Sequence, residues 1–354
     1  MKERPSVILV GETFPASRTT QRANALQAMG CRVETVGTTP PNTDYETQPD
    51  LIARLRYRLR IPGDPAAANA RLLDVVRPDT DIIWLEAARM IEAKTLWRAK
   101  EISPDIQILC YSEDDLMNPQ NRSRQQEKIF PIVDLWVTTK SFNADHVELP
   151  SLGVRNMLFL NNSYDPGFHR PVELTSEDRT VYGSPISFIG SFEKPRSNSL
   201  LALAEAGLKV RVWGNGWEPM RKSHKNLRIE GRPAYNDEFA KVVAGTSINL
   251  CFLRHANRDL QTCRSIELTG CGGFMVHERN VEISHLFSEN VSAVYFSDDK
   301  ELCQVCHEWL SRDRDRRAVA AAALERVGEL QMTHADNIQR IFDRLTGIAA
   351  GSAK

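Results

Sequence analysis

Short apolar runs alternate with amphipathic stretches along the first half of the chain. The run SVILV (6–10) predicts a buried strand, TTQRANALQAMG (19–30) a helix that ends at Gly30, and CRVETV (31–36) the next strand. By the same criteria, strands are predicted at 80–87, 106–112, 134–139 and 157–160, with helices at 88–103 and 121–133. Apolar strands that alternate with helices are typical of a parallel sheet covered on both faces.

The alternation stops at a polar stretch that contains prolines, 161–183, which we interpret as a linker. It then resumes, with strands predicted in PISFIGS, KVRVWGNG, SINLCFL, GFMVHE and VSAVYFS, and helices in SNSLLALAEAG, NDEFAKVVAGT, Thr262–Thr269 and from Asp299 onward. Two α/β units of similar size make the cleft between them the expected ligand site.

The size and charge of the chain fit this picture. A chain of 354 residues exceeds what one core usually supports, which predicts two domains. Its net charge is −1, so composition gives no indication of nucleic-acid binding. The first apolar run is too short for a signal peptide or a membrane span, and we expect a cytoplasmic protein.

The seven cysteines stand mostly in apolar segments and are expected to be reduced core thiols. One group, CQVCH (303–307), matches the pattern of c-type haem attachment. Because Leu302, Cys306 and Trp309 follow helical spacing, we favour packing of a helix face and predict no cofactor.

Two glycine turns follow predicted strands, at Gly190–Ser191 and at Gly214–Asn215. Glycine permits close approach to a phosphate, and the next helix offers free amides and a favourable dipole. The dinucleotide fingerprint is absent, since GNGWEP lacks the third glycine, and this disfavours a nicotinamide enzyme.

The stretch NRDLQTCRSIELTGCGGFMV (257–276) carries the main candidate chemistry. Glu267, more than a turn into the predicted helix, could accept hydrogen bonds from the diol of a ribose, and Arg264 at i−3 could fix that carboxylate or neutralise phosphate. The alternative is a surface ion pair between the two. The loop before the helix supplies Asp259 for other hydroxyls and Leu260, Gln261 and Thr262 for the donor, with the amides of the last two free to hold a phosphate.

These motifs, FIGS, VWGNGW and RDLQTCRSIELTGCGGFMV in that order, resemble the group-1 glycosyltransferases of GT-B fold over most of 160–345 and, more loosely, the N-terminal half. The resemblance implies an α/β protein with two Rossmann-like, doubly wound parallel-sheet domains facing a central cleft. The expected ranges are 1–165 for the acceptor domain, 166–332 for the donor domain and 333–354 for a helix that returns to the first domain.

In that family two acidic residues separated by seven others hold the nucleotide-sugar donor. Asp259 and Glu267 have this spacing, which implies a contact of Glu267 with the ribose and of Asp259 with the transferred sugar. The first acid is Asp where much of the family has Glu, and Ser191 replaces a frequent basic residue. Lys194 and Arg196 are therefore expected to neutralise the diphosphate of the donor. The alternative is that both are ordinary solvated residues.

The resemblance also implies transfer with retention and without a required metal. For the acceptor, we predict contacts from Arg18, Asp114 and Asp115. The two aspartates could equally cap the next helix, and Arg18 and Arg22 could equally face solvent.

The segment LIARLRYRLRI (51–61) interleaves four arginines with apolar residues. As a helix it is compatible with lying on an anionic membrane, although many such helices pack inward.

The prediction is a cytoplasmic bacterial hexosyltransferase of polysaccharide biosynthesis, with a nucleotide-sugar donor and a saccharide or lipid-linked acceptor. The alternatives are a nucleotide-sugar 2-epimerase and a non-catalytic scaffold that binds nucleotide-sugar or glycan.

Overall fold

The computed structural model describes residues 4–40, 43, 47 and 50–352, and the chain divides into two compact units. The first unit contains Met1–Asn161 together with His334–Lys354, and the second contains Asn162–Thr333. Residues 1–3, 41–42, 44–46, 48–49 and 353–354 of the domain ranges predicted from the sequence lie outside the described residues.

The first unit is built on six parallel strands in the order β2-β1-β3-β4-β5-β6. The strands are β1 Ser6–Gly11, β2 Arg32–Gly37, β3 Ile82–Glu86, β4 Gln107–Ser112, β5 Leu135–Thr138 and β6 Met157–Phe159. The helices that precede residue 162 are α1 Arg18–Ala28, α2 Leu51–Leu59, α3 Ala68–Val75, α4 Ala93–Ile102, α5 Arg124–Ile129 and α6 Glu148–Ser151.

The second unit has six parallel strands in the order β12-β11-β10-β7-β8-β9. The strands are β7 Ser184–Ile189, β8 Val210–Trp213, β9 Leu227–Ile229, β10 Thr246–Cys251, β11 Met275–Glu278 and β12 Val294–Phe296. The helices are α7 Ser176–Tyr182, α8 Lys194–Glu205, α9 Asn236–Gly245, α10 Cys263–Gly270, α11 Val281–Leu286, α12 Asp299–Leu310 and α13 Asp313–Glu329. The predicted α/β class with two parallel sheets is confirmed.

Both faces of the first sheet are buried, as the apolar runs predict. Ile8, Ile83 and Ile108 belong to one core cluster, while their chain neighbours Leu9, Trp84 and Leu109 belong to the cluster on the opposite face. This is the alternation that a pleated strand imposes. The last helix, α14 His334–Ser352, adds four buried side chains to the second of these clusters: Ile338, Ile341, Phe342 and Leu345.

Each sheet has one point where the strand order reverses. It lies between β1 and β3 in the first sheet and between β7 and β10 in the second. Open α/β sheets bind ligands beyond the carboxyl ends of the two strands at this point. The residues that follow β7 and β10, and those that follow β1 and β3, are therefore where chemistry is expected.

Some predicted elements have different bounds. The helix predicted at 121–133 is confined to Arg124–Ile129, because Ser123 caps its start and Pro131 has no amide proton to continue the helical hydrogen bonds. The interpretation of 161–183 as a linker is wrong at its end, where Ser176–Tyr182 is helical and begins with a capping box at Thr175. The pattern also missed α3, α6, α11 and β9.

The cysteine predictions agree with the structure. All seven cysteines are free, and Cys306 is fully buried on α12 with Leu302 and Trp309. The CQVCH group therefore packs a helix face.

Candidate functional site

The candidate donor site of the second unit lies beyond the carboxyl ends of β7 and β10, the two strands at the switch point. Gly190, Ser191, Lys194 and Arg196 come from the β7 side. The segment that carries Asp259, Leu260, Gln261 and Thr262, and then α10 itself, come from the β10 side. The fold therefore delivers the predicted donor residues to one edge of one sheet.

The two glycine turns are tied to each other. The amide of Gly190 donates to the Trp213 carbonyl at 2.8 Å, and Trp217 Nε1 donates to the Gly190 carbonyl at 2.8 Å. Gly214 has a φ of 151°, and a Cβ there would lie 2.0 Å from the Gly190 oxygen. Only glycine fits this crossing. The Asn215 carbonyl completes it by accepting the Phe192 amide at 2.9 Å.

Arg196 is the buried cation of this edge. Its residue is 8% exposed, and it donates from Nη1 to the Ser191 carbonyl at 3.3 Å. Its Nε has no hydrogen-bond partner and lies 3.7 Å from the nearest oxygen of Glu193. Burial lowers the pKa of Arg196, although Glu193 and Asp259 favour its charged form. An incompletely paired buried guanidinium is suited to receive an anion.

Lys194 differs from Arg196 in exposure. It is the first residue of α8 and its side chain is exposed, so it can extend toward an anion at the positive end of the helix. Ser191, also exposed, contributes its carbonyl to Arg196. The segment is joined to the β10 side by Arg254, whose Nε donates to Glu193 Oε1 at 2.9 Å.

Glu267 lies on the buried side of α10 and is 2% exposed. Arg264 Nη1 donates to its Oε2 at 2.7 Å, and the Arg264 guanidinium lies over the Phe239 ring at 4.4 Å from the ring centroid. The alternative of a surface ion pair is therefore wrong, because one partner is buried. The arginine fixes the carboxylate, as the i−3 spacing predicts.

His169 is a neighbour of Glu267 that the sequence did not reveal. Its Nδ1 accepts the Asp165 amide at 3.3 Å, which leaves the ring proton of a neutral imidazole on Nε2, and Nε2 lies 3.8 Å from Glu267 Oε1. The ring is buried and packs edge-on against Phe239. A single histidine in a polar stretch has no periodicity that could have indicated this position.

Asp259 is held by its own loop and is 7% exposed. Asn257 Nδ2 donates to its Oδ1 at 2.7 Å, and the Arg254 amide donates to its Oδ2 at 3.4 Å. The intervening Arg258 is left-handed, with a φ of 47°. These contacts fix the orientation of the first acid of the pair.

One of the two amides predicted to hold a phosphate is already used within the protein. The Thr262 amide donates to Ser265 Oγ at 3.1 Å, so the expectation of a free amide there is wrong. Thr262 is the N-cap of α10, and its capping box with Ser265 accounts for the bond. The Ser265 Oγ also lies 2.8 Å from His277 Nε2, which anchors the start of the helix to β11.

Gln261 is buried and acts as a tie between segments. Its Oε1 accepts the Asn162 amide at 2.9 Å, and its Nε2 donates to Glu282 Oε1 at 2.8 Å. The preceding Leu260 carbonyl accepts Asn280 Nδ2 at 2.9 Å. The side chain of Gln261 and the carbonyl of Leu260 therefore hold the loop in place.

The sequence comparisons can now be set beside this geometry. Residues 196–343 match the model of a family described as glycosyl transferase-like. No curated protein matches the sequence significantly.

Solved structures match nearly the whole chain at low identity. The Anabaena protein HepE, in complex with UDP and glucose, is 12% identical with a TM-score of 0.64, over 97% of this chain and 100% of that one. Sucrose-phosphate synthase from Thermosynechococcus elongatus is 13% identical with a TM-score of 0.65, over 97% and 100%. A glycosyltransferase from Rickettsia africae is 10% identical with a TM-score of 0.66, over 98% and 99%.

Residues 196–343 match a glycosyl transferase-like family, and the chain as a whole has the fold of GT-B glycosyltransferases. Both findings agree with the resemblance to group-1 glycosyltransferases. Of the predicted donor residues, Arg196, Asp259, Arg264 and Glu267 lie on the described edge of the second sheet.

The chain has a second polar cluster at the switch point of its first sheet. Arg22 is 3% exposed and is held by Glu86, at the end of β3, and by Glu113, after β4, with the Glu113 Oε1 at 2.5 Å from Nη2. Its guanidinium also lies over the Tyr111 ring at 3.9 Å from the centroid. Burial opposes the charged form, but Glu86, Tyr111 and Glu113 together raise the pKa of Arg22. Arg22 therefore does not face solvent, and two carboxylates already neutralise it.

The predicted acceptor residues lie around this cluster. Arg18 is half-buried, donates to Gln21 Oε1 at 3.1 Å and lies 3.8 Å from Glu113. Asp115 is 2% exposed and accepts the Met117 amide at 2.9 Å and Asn143 Nδ2 at 3.0 Å. The next helical turn is capped by Asn118, so the alternative that the aspartates cap it is wrong. Asp115 therefore stabilises a turn. Asp114 is half-buried and lies just after the carboxyl end of β4.

Proposed function

We propose that the chain is a glycosyltransferase that transfers a sugar from a nucleoside-diphosphate sugar to a hydroxyl of a saccharide or lipid-linked saccharide. The observation that carries the proposal is the buried Glu267, oriented by Arg264, on the helix that follows the switch-point strand β10. A carboxylate fixed in this way can accept both hydroxyls of a ribose. HepE, solved with UDP and glucose, makes UDP-glucose the first donor to test.

The diphosphate is assigned to cations and to a helix terminus. Arg196 would receive the phosphate oxygens with its incompletely paired guanidinium, and Lys194 would approach from the exposed start of α8. Charge that develops on the departing phosphate would be stabilised by groups that are already oriented. We therefore propose that transfer requires no metal ion, and activity should persist after treatment with a chelator such as EDTA.

We further propose that the configuration of the anomeric carbon is retained. The acceptor oxygen forms its bond to that carbon on the same face from which the phosphate oxygen leaves, and the acceptor proton passes to the departing phosphate. No protein nucleophile is needed in this scheme. Asp259, whose carboxylate is oriented by Asn257, would hold a hydroxyl of the transferred sugar. The anomeric proton coupling in the NMR spectrum of the product distinguishes retention from inversion.

The acceptor is assigned to the first unit, at Arg18 and Asp114 beside the cluster of Arg22, Glu86 and Glu113. Because Arg22 is neutralised there, the cluster suits the hydroxyls of a neutral saccharide better than a free anion. Asp115 stabilises the adjacent turn by accepting the Met117 amide. The bacterial setting implied by the resemblance and the cytoplasmic location expected from the short N-terminal apolar run stay predictions.

The test of the donor site is isothermal titration with UDP on the parent and on Glu267→Ala. Loss of a charged hydrogen-bond partner should weaken binding by about 1 to 3 kcal/mol. Glu289→Ala is the control, because Glu289 is a half-exposed residue paired with Arg279 in the same unit. Equal affinities of the parent and Glu267→Ala would refute the ribose assignment.

A donor screen distinguishes the three activities considered above. UDP-, GDP-, ADP- and TDP-sugars would be titrated first, and those that bind would then be incubated with and without saccharide acceptors. A transferase forms a glycosylated product only with an acceptor. A 2-epimerase releases an epimer, or free sugar and nucleotide, without one, and a scaffold binds without turnover.

A further inference from the structure

The helix α2 is unusual because it carries several large apolar side chains and none of its residues is buried. Its large apolar side chains are mostly in solvent, with exposed fractions of 81% for Leu51, 63% for Ile52, 58% for Leu55 and 48% for Leu59. An amphipathic helix of a globular protein normally turns such a stripe to the core. This stripe therefore needs another apolar environment.

The arginines of α2 flank the stripe on both sides. At about 100° per residue, the four apolar side chains span roughly 100° of the helix circumference. Arg54 and Arg58 lie along one edge of that arc and Arg56 along the other, and all three residues are exposed. Arginines in these positions can extend their charges to phosphates while the stripe enters an apolar layer.

A basic cavity lies next to the end of the helix. It has a volume of about 450 Å³, and its lining includes Ile61, Glu92, Lys94, Arg124 and Lys128. Among the described residues that line the cavity, the one acid is Glu92, which pairs with Lys94 at 2.7 Å, and Arg124 and Lys128 leave an excess of positive charge.

The position of α2 beside the cavity is fixed by the backbone. The Arg124 amide donates to the Arg60 carbonyl at 2.9 Å, and the Arg60 side chain is bound by Glu127. On α4, one turn after Lys94, Trp97 is 54% exposed. Tryptophan at the edge of a charged surface is typical of the interface between lipid and water.

We infer that the surface formed by α2, Ile61 and the basic cavity binds the face of an anionic phospholipid bilayer. The apolar stripe enters the boundary between headgroups and acyl chains, and the cavity receives a headgroup phosphate. The nine residues of α2 are too few to cross a bilayer, and no helix of the described residues is long and apolar enough to span one. The helix therefore lies in the plane of the surface.

Charge distinguishes a bilayer from the other partners that an apolar stripe could bind. A symmetric contact with a second copy would bring the same patch against itself and set arginine beside arginine. A nucleic acid would neutralise the arginines but would leave four large apolar side chains in water. An anionic bilayer satisfies both the charge and the apolar surface.

Sedimentation with vesicles tests the inference without any sugar transfer, so its failure is distinct from failure of the proposed function. The parent should bind vesicles that contain about 30% phosphatidylglycerol and bind pure phosphatidylcholine far more weakly. About 0.5 M salt should reduce the binding. Leu51→Ser/Leu55→Ser should lower the partition coefficient at least about tenfold.

The matched control is Val281→Ser/Val291→Ser, which removes two exposed apolar side chains from the second unit, 71% and 59% exposed. This variant should bind vesicles like the parent, and thermal melting should show that both variants are folded. The inference is overturned if the parent does not sediment with anionic vesicles, if the leucine variant binds equally well, or if the leucines instead hold a dimer in solution.

Discussion

At the residue scale, the donor edge depends on one position that only glycine can occupy. Gly214 is in the positive region of φ, and its missing side chain makes room for the carbonyl of Gly190. The crossing of the two turns sets the path of the backbone from Gly190 to Arg196. A side chain at position 214 would therefore disturb the phosphate site without contacting a ligand.

Gly214→Ala should lower the free energy of unfolding by more than about 1 kcal/mol, because both the conformation and the contact oppose a Cβ. Gly328→Ala is the control, and it should change the free energy of unfolding in the opposite direction. Gly328 is within α13, and a Cβ there would have no heavy atom within 4 Å. Alanine should stabilise that helix by roughly 0.4 to 1 kcal/mol. Urea denaturation of both variants checks the pair of predictions.

Arg196 provides a prediction about the reaction itself. Arg196→Gln should lower kcat roughly 100-fold, since a buried charged donor at the leaving phosphate would be lost. Arg228→Gln is the matched control, because Arg228 is an exposed arginine of the same sheet. Steady-state kinetics with the identified donor would measure both. A kcat for Arg196→Gln equal to that of the parent would remove Arg196 from the phosphate site.

The sequence predicted some of these residues because their spacing has a direct geometric meaning. Arg264 and Glu267 are one helical turn apart, and the structure pairs them. The roles of Thr262 and Asp115 depend on which hydrogen-bond partner is nearest. Asn143 is brought to Asp115 by the fold from 28 residues away, whereas Ser265 is the N3 residue of a capping box in which serine stands where Glu or Gln is usual.

At the scale of elements, α9 is fastened to its surroundings by one carboxylate. Glu238 accepts two hydrogen bonds from Arg232, at 2.6 and 2.7 Å, and a third from the Tyr182 hydroxyl of α7 at 3.2 Å. The bonds from Arg232 lower the pKa of Glu238. The carboxylate thus connects α7, α9 and the segment after β9.

This pair should make stability depend on pH in a defined direction. Because the pKa is lower in the folded state, the pair stabilises above the ordinary glutamate value and its contribution is lost as pH falls through the folded pKa. Glu238→Gln should lower the free energy of unfolding by up to about 1 kcal/mol near pH 7, since the pair is partly exposed.

The difference between Glu238→Gln and the parent should then shrink toward about pH 3. Urea titrations at both pH values measure it, with the exposed Glu218→Gln as the control. A difference that stays constant across this range would show that the ion pair does not carry the effect.

Helices and strands could be predicted where the apolar pattern extends over many residues. The prediction failed where a short polar signal, such as a helix cap, decides the conformation. The strands from SVILV to VSAVYFS were predicted because burial on both faces requires continuous apolar runs. The helix α7 was missed because its side chains are not buried and its start depends on the capping box of Thr175. A helix stabilised mainly by its cap leaves little periodic pattern.

At the scale of the whole molecule, the last helix belongs to the core of the first unit. Ile341 and Leu345 of α14 are fully buried in the cluster that contains Leu26, Trp84 and Tyr111. In addition, Gln107 Nε2 donates to the Leu345 carbonyl at 3.1 Å. The sequence resemblance implied that a C-terminal helix returns to this part of the chain, but apolar periodicity alone could not have named its partners.

Leu345→Ala should lower the free energy of unfolding of the first unit by about 2 to 5 kcal/mol, as expected for a fully buried leucine. Leu51→Ala, at a leucine that is 81% exposed, should leave it within about 0.5 kcal/mol of the parent. Hydrogen exchange followed by mass spectrometry assigns the change to a unit. Loss of protection confined to Asn162–Thr333 would contradict the expectation.

The return of α14 also sets an order of events on the ribosome. The strands of the first unit emerge first, yet the side chains that cover Leu26 and Trp84 are encoded after the entire second unit. At about 5–20 residues per second, this interval lasts roughly ten to thirty seconds. During that time the nascent first unit presents an uncovered apolar face, so a holding chaperone should improve the yield of folded protein, and translation that stalls before His334 should leave an aggregation-prone fragment.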